Sequence, residues 1–274
     1  MTRSDFLEFG GLMGAEELAT EEALEFLKRQ GFDGGALAQS RQALAEDRHK
    51  QFEFDSFGVG HCDFCFIELM GGGFDALQDG RRRCTRCSRS VLSTEEAFRD
   101  EFELVRRNME MAFGISVTTP LVVKMVNARE ISRRTGEAFT PTSAVNPRVL
   151  GFVEVKDGVQ SLYIENGSPR ISAVTTMAHE LTHVWQIANW DMTEIEKRYG
   201  KQNVRALVEG MAVWAQIQYL LMTREFSYAE RQLVYSLARD DEYGVGFRVF
   251  ATRYPLSESG QSEADTPFRL PWPL

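Results

Sequence analysis

From Ile171 to Trp190 the chain contains neither glycine nor proline, and Val174, Met177, Ala178, Leu181, Val184, Trp185 and Ala188 recur at helical spacing. A helix is predicted here, and it carries His179-Glu180-Leu181-Thr182-His183. Two histidines four residues apart stand one above the other on a single helix face, about 5 to 6 Å apart at Cβ. Both imidazoles can then reach one ion, and Glu180 lies beside the position they leave open. A fold that contains this helix must keep space over that face and bring a further ligand from another element.

Val204 to Thr223 reads as that second helix. Within it Glu209 is surrounded by Val204, Leu207, Val208, Met211 and Ala215, and a carboxylate in such apolar company needs a partner. The missing position of a His-His-Glu metal set supplies one. Asp191, Glu194 and Glu196 compete for the role but lie in a polar stretch where solvated carboxylates are expected. Gly210, next to Glu209, would let another backbone approach closely.

All four cysteines fall in two pairs, Cys62-Asp63-Phe64-Cys65 and Cys84-Thr85-Arg86-Cys87. The stretch between the pairs is within the span of about 15 to 20 residues typical of zinc knuckles. Four thiolates close a tetrahedral shell, so a structural zinc is expected. It would hold together a glycine-rich segment containing Gly71, Gly72, Gly73 and Gly80. His61 is an alternative ligand that the spacing does not favour. Arg81, Arg82, Arg83, Arg86 and Arg89 crowd the second pair. They read as counter-charges to the thiolates rather than as a nucleic-acid surface, because the chain is acidic overall, with a net charge of -9.

No apolar run is long enough to span a membrane, and Met1-Thr2-Arg3-Ser4-Asp5 lacks a signal-peptide pattern. The expected compartment is the cytoplasm, where paired cysteines favour metal over disulfides.

The organisation predicted is α+β in four parts. Residues 1–55 form an acidic helical segment, with helices over Ala15–Gln30 and Ala36–Lys50 around Gly31-Phe32-Asp33-Gly34-Gly35, a faint echo of ubiquitin-binding modules. Residues 56–92 form the zinc ribbon. Residues 93–254 form the main body. It begins with a helix capped by Ser93 and Glu96, whose stripe is Phe98, Phe102, Val105, Met109 and Phe113, ending at Gly114. A strand over residues 120–126 and a loop over Arg133–Pro147 follow. Strands over Val149–Val155 and Val159–Glu165 are joined at Lys156-Asp157-Gly158. Residues 255–274 read as a mobile tail whose end, Phe268 to Leu274, is apolar enough to dock on the body or a partner.

The two histidines, the carboxylate between them and the third ligand are the constellation of zinc-dependent peptide hydrolysis, with Glu180 as general base. Tyr243 or Arg248, after a final helix over Ser227–Arg239, could serve the oxyanion. The partner implied is a protein or peptide substrate. A second reading is a zinc-ribbon adaptor whose catalytic body is latent.

Several segments, in order from about Cys62 to Phe250, resemble the ubiquitin-dependent zinc peptidases of plant organ-size control, in which a LIM-type domain precedes a gluzincin-like peptidase domain. They are Asp79-Gly80-Arg81 leading to Cys84 and Cys87, Pro120-Leu121-Val122-Val123, and Gly167-Ser168-Pro169-Arg170. Ala178-His179-Glu180 with His183-Val184-Trp185, Val208-Glu209-Gly210 and Tyr243-Gly244-Val245-Gly246-Phe247-Arg248 complete the set. The resemblance implies a zincin-like peptidase fold, zinc on His179, His183 and Glu209, Glu180 as base, and ubiquitin as a regulatory partner. The chain departs from the family in having a single four-cysteine pair of knuckles, in Cys84 where a LIM finger usually has histidine, in Glu21-Glu22-Ala23-Leu24 being too short for a ubiquitin-interacting motif, and in Val213, four residues past Glu209, where many gluzincins have an aspartate, so that the groups orienting the histidines must come from elsewhere.

Overall fold

The computed structural model describes residues 60–69, 73–117, 119–136, 139, 150–257 and 266–269. The helices expected before residue 56 and most of the loop expected over 133–147 lie outside that set.

The ribbon is small. Strands β1 (Phe74–Ala76) and β2 (Arg82–Cys84) pair antiparallel, with Phe74 opposite Cys84, and helix α1 (Thr85–Arg89) follows directly. Cys84 is the N-cap of α1 and its sulfur accepts from the Cys87 amide.

Several connections fasten the ribbon to the body. Arg81 is only 3% exposed, and its guanidinium joins Asp79 of the ribbon to Glu165 of the body at 2.7 and 2.5 Å. Arg83 donates to the carbonyl of Gly167 at 3.1 Å. The amide of Leu92 donates to Ser168 and that of Arg170 to Ser90, so the ribbon's exit strand lies against the residues that start the histidine-bearing helix. Arg81 and Arg83 are thus structural ties as well as positive charge. Arg81→Leu would leave two buried carboxylates facing each other. It is expected to cost about 3 to 5 kcal/mol in urea unfolding, whereas apolar replacement of Asp79, Arg81 and Glu165 together should cost less.

Helix α2 (Glu95–Phe113) buries the expected stripe of Phe98, Phe102, Val105, Met109 and Phe113 and ends at Gly114 in the left-handed region. Its cap is Thr94, whose hydroxyl accepts from the Ala97 amide, one residue later than the sequence suggested. Strand β3 (Leu121–Val126) leads into α3 (Ala128–Thr135), which converts the start of the expected loop into helix. Asn127 caps it, Gly136 stops it, and Glu130 pairs with Arg133 and Arg134 on the exposed side. The apolar signal there was too thin to announce a helix, because only Ile131 and Thr135 are buried.

Strands β4 (Gly151–Lys156) and β5 (Val159–Glu165) form the expected hairpin, with Asp157 and Gly158 both at positive φ as a tight two-residue turn requires. The sheet order is β3-β5-β4, with β3 parallel to β5, so β4 and β3 are the edges among the described strands.

The histidine helix α4 (Arg170–Asn189) is buried along most of its length. It is followed by α5 (Met192–Tyr199), α6 (Lys201–Met222), α7 (Phe226–Ala238) and α8 (Glu242–Arg253). The helix expected over Ser227–Arg239 is therefore not the final one, because Tyr243 lies in the first turn of a further helix, capped by Asp241. Helices α6 and α8 cross at Gly210 and Gly246. A Cβ on Gly210 would lie 2.3 Å from the Cα of Gly246, and one on Gly246 would lie 1.8 Å from the carbonyl oxygen of Ala206. The close approach expected of Gly210 is thus made by a second glycine.

The segment read as a mobile tail also contributes to the core. Phe268 is buried, with its ring stacked on Phe113 at 5.0 Å and edge-on to Trp185 at 5.1 Å. No helix among the described residues is long and apolar enough to cross a membrane.

Candidate metal centres

His179 and His183 stand one turn apart on α4, their rings at 82° with centroids 4.7 Å apart. Glu209 reaches them from the middle of α6. One carboxylate oxygen, Oε2, lies 3.3 Å from His179 Nε2 and 3.4 Å from His183 Nε2. The three residues form one group that could hold a metal ion. Ligands at about 2.0 to 2.1 Å from a tetrahedral ion stand about 3.3 Å from one another, so the carboxylate oxygen already stands from each histidine nitrogen at the separation an ion would impose. Their arrangement fits an HExxH-type zinc site.

The charges agree with that reading. Burial opposes a charge on His183, but the Glu209 carboxylate outweighs it and the imidazole is pushed up to about 9. Burial likewise works against the Glu209 anion, yet the two histidines hold its carboxyl well below the usual range. Without a metal, a proton on His183 answers the carboxylate that a metal would otherwise neutralise.

The outer partners of the histidines are residues that sequence reasoning did not single out. His183 Nδ1 lies 2.8 Å from Gln186 Oε1, and Gln186 Nε2 donates to the carbonyl of Val208, the residue before Glu209. One amide therefore orients a histidine and fixes the stretch of α6 that presents the carboxylate. His179 Nδ1 lies 2.9 Å from Gln216 Oε1, two helical turns beyond Glu209 on α6. Both amides take the place of the aspartate missing at Val213. The sequence shows only glutamines inside apolar helical runs, which need some partner when buried, and not which partner that is.

Glu180 is buried at 6% exposure, and its charge adds to the field that favours protonated His183. Tyr243, in the first turn of α8, lies with its ring nearly parallel to that of His179 at 6.4 Å between centroids, and Arg239 covers it at 4.5 Å. Burial, together with the charge of Glu209, pushes the Tyr243 hydroxyl up, so it stays protonated and able to donate. Arg248 is placed differently. Its Nη1 donates to the carbonyls of Leu237 at 3.0 Å and Arg239 at 2.7 Å, closing the C-terminal end of α7.

The second group is Cys62, Cys65, Cys84 and Cys87, all buried and none in a disulfide. Cys65 and Cys84 sulfurs are 3.7 Å apart, against about 3.8 Å for sulfurs at 2.3 Å around a tetrahedral ion. Cys62 is held far below the ordinary thiol range because Cys65 and Cys87 donate to it, while Cys65 is pushed up to about 12 by the same sharing. A divalent cation bound by the four sulfurs would displace the protons they share. His61 stands outside the cluster and bridges to Glu68.

No protein-family model, curated protein or solved structure matches this chain. What can be said of its chemistry rests on the two groups themselves.

Proposed function

We propose that the protein is a zinc metallopeptidase, of the zincin type with a structural zinc ribbon, related to the LIM-linked, ubiquitin-dependent peptidases that its sequence resembles. The observation that carries the reading is the single Glu209 oxygen placed between two histidine Nε2 atoms at the spacing a tetrahedral ion requires, with Glu180 buried on the same helix. His179, His183 and Glu209 would hold zinc there, and Cys62, Cys65, Cys84 and Cys87 a second one.

A zinc in the first set supplies Lewis acidity toward a carbonyl and lowers the pKa of a water to about 7. The remaining work falls to the chain. Glu180 takes the proton of the attacking water and returns it to the leaving amine, a shuttle that a buried carboxylate performs well because water does not compete for it. Tyr243, protonated and beside His179, donates to the oxygen that becomes negative. Strand β4 offers an edge close to α4. A Cβ on Gly151 would lie 2.6 Å from Thr176, one turn before His179, so glycine is what lets the strand approach. An extended peptide added to that edge would have its carbonyls near the histidine face.

The test is metal content with activity. Two zinc ions per chain are expected, together with cleavage of unfolded protein substrates that a chelator abolishes and added zinc restores. Two zinc ions without any cleavage would favour the adaptor reading.

A further inference from the structure

The carbonyl of Phe64 lies inside the first cysteine knuckle, between Cys62 and Cys65, and two side chains of the body donate to it. Ser172, in the first turn of α4, does so at 2.8 Å, and Tyr228 of α7 does so at 2.9 Å. A chain of hydrogen bonds continues from Tyr228 into the other metal site. Gln232 Nε2 donates to the Tyr228 oxygen at 2.8 Å, Gln216 Nε2 donates to Gln232 Oε1 at 3.2 Å, and Gln216 Oε1 faces His179 Nδ1 at 2.9 Å. Tyr228 and Gln232 are buried, which shields the ribbon half of the series from water, while Gln216 is half-buried.

The series has only one consistent direction. A carbonyl can only accept, so Tyr228 must be the donor to Phe64. Its oxygen then accepts from Gln232, which must turn Nε2 toward the tyrosine and Oε1 toward Gln216. Flipping the Gln232 amide would set its NH2 against that of Gln216, two donors face to face. Gln216 is therefore oriented with Nε2 toward Gln232 and Oε1 toward His179. Only an N–H on Nδ1 can answer that oxygen, which leaves the Nε2 lone pair of His179 directed at the metal position beside Glu209.

We infer that Tyr228, Gln232 and Gln216 are positioning residues that carry the geometry of the cysteine knuckle to His179, fixing its tautomer and ring so that the two metal centres bind cooperatively. The inference rests on the reading of His179, His183 and Glu209 as a metal site. His183 has no such long arm, since Gln186 ties it locally to α6. The coupling should thus act on one histidine and not on the other.

The experiment uses the full chain with cobalt(II) as the probe. Thiolate-bound cobalt absorbs by charge transfer and a nitrogen-oxygen site does not, so the two sites are read separately. The affinity of the histidine site is measured by competition with a chelator, and thermal unfolding is followed in parallel. Gln216→Leu is expected to weaken the histidine site by about 10- to 100-fold. Tyr228→Phe and Gln232→Leu, which touch neither histidine, should weaken it by several-fold, and Gln216→Glu, which keeps an acceptor toward His179 but has no N–H for Gln232, should recover only part of the loss seen in Gln216→Leu. Wild-type affinity in both Tyr228→Phe and Gln232→Leu would overturn the inference, including when either variant melts at a lower temperature, because packing alone would then explain those residues. A wild-type chain that takes cobalt at the sulfurs but not at the histidines would instead overturn the metal-site reading, and this inference with it.

Discussion

Glu180→Gln is expected to retain both metals and lose about 10²- to 10⁴-fold in the rate of peptide cleavage. Glutamine keeps the shape and the buried position of the side chain, so the helix around it has no cause to rearrange. What disappears is a group that can accept a proton from water and release it to an amine. None of the metal donors is touched, because His179, His183 and Glu209 form the set without Glu180. A metal assay and an initial-rate measurement on the same preparation therefore separate this variant from His179→Ala, in which metal and activity are lost together. Equal cleavage by wild type and Glu180→Gln would remove the assignment of the base. The same pair of proteins, compared for newly formed chain ends in a protein mixture, would also identify substrates.

Cys87→Ser is expected to have the largest effect on stability. Structural zinc contributes on the order of 10 kcal/mol to the folding of small metal domains, comparable with the whole stability of an ordinary domain. The ribbon has little else to hold it, since β1 is exposed throughout and only three residues long. Its loss would not remain local. The Phe64 carbonyl takes donors from α4 and α7, Arg231 donates to the Cys65 carbonyl at 2.7 Å, and Arg81 would lose the ribbon framework that brings it to Glu165. The variant should be insoluble, or melt at least 15 °C below wild type, by about 5 kcal/mol or more. Thiol titration should show four reactive sulfurs released with one zinc ion from the wild type. A Cys87→Ser chain as stable as wild type would mean that the sulfurs are not a structural metal centre.

The legible part of this protein was the part written in strong periodicity or in rare residue types. The stripe of α2, the β4–β5 turn and the helix of His179 and His183 each followed from a pattern that local physics enforces. Glu209 followed from the cost of a carboxylate among apolar neighbours. The boundaries and the supporting residues were harder. Thr94 rather than Ser93 caps α2 because both hydroxyls are adjacent and only the backbone decides between them. Helix α3 buries too little to show a stripe, and α8, which the sequence did not announce, contains Gly244 and Gly246, the second of which serves the crossing with α6. Gln186, Gln216, Gln232 and Tyr228 could not be assigned to anything from sequence, since their meaning is in partners brought from α6, α7 and the ribbon. Arg81 was read as a charge near sulfur, and its second carboxylate, Glu165, is known only once the ribbon is folded against β5.

Phe268 closes the back of the helix that carries the histidines, wedged against Phe113 and Trp185. Its position in the chain sets a schedule. While the protein is being synthesised, both histidines, Glu209 and all four cysteines leave the ribosome before this phenylalanine does. During that interval Trp185, two residues from His183, lacks the ring that packs edge-on against it. The packing behind the histidine pair is therefore completed by a residue from far along the chain that is not itself one of the candidate ligands.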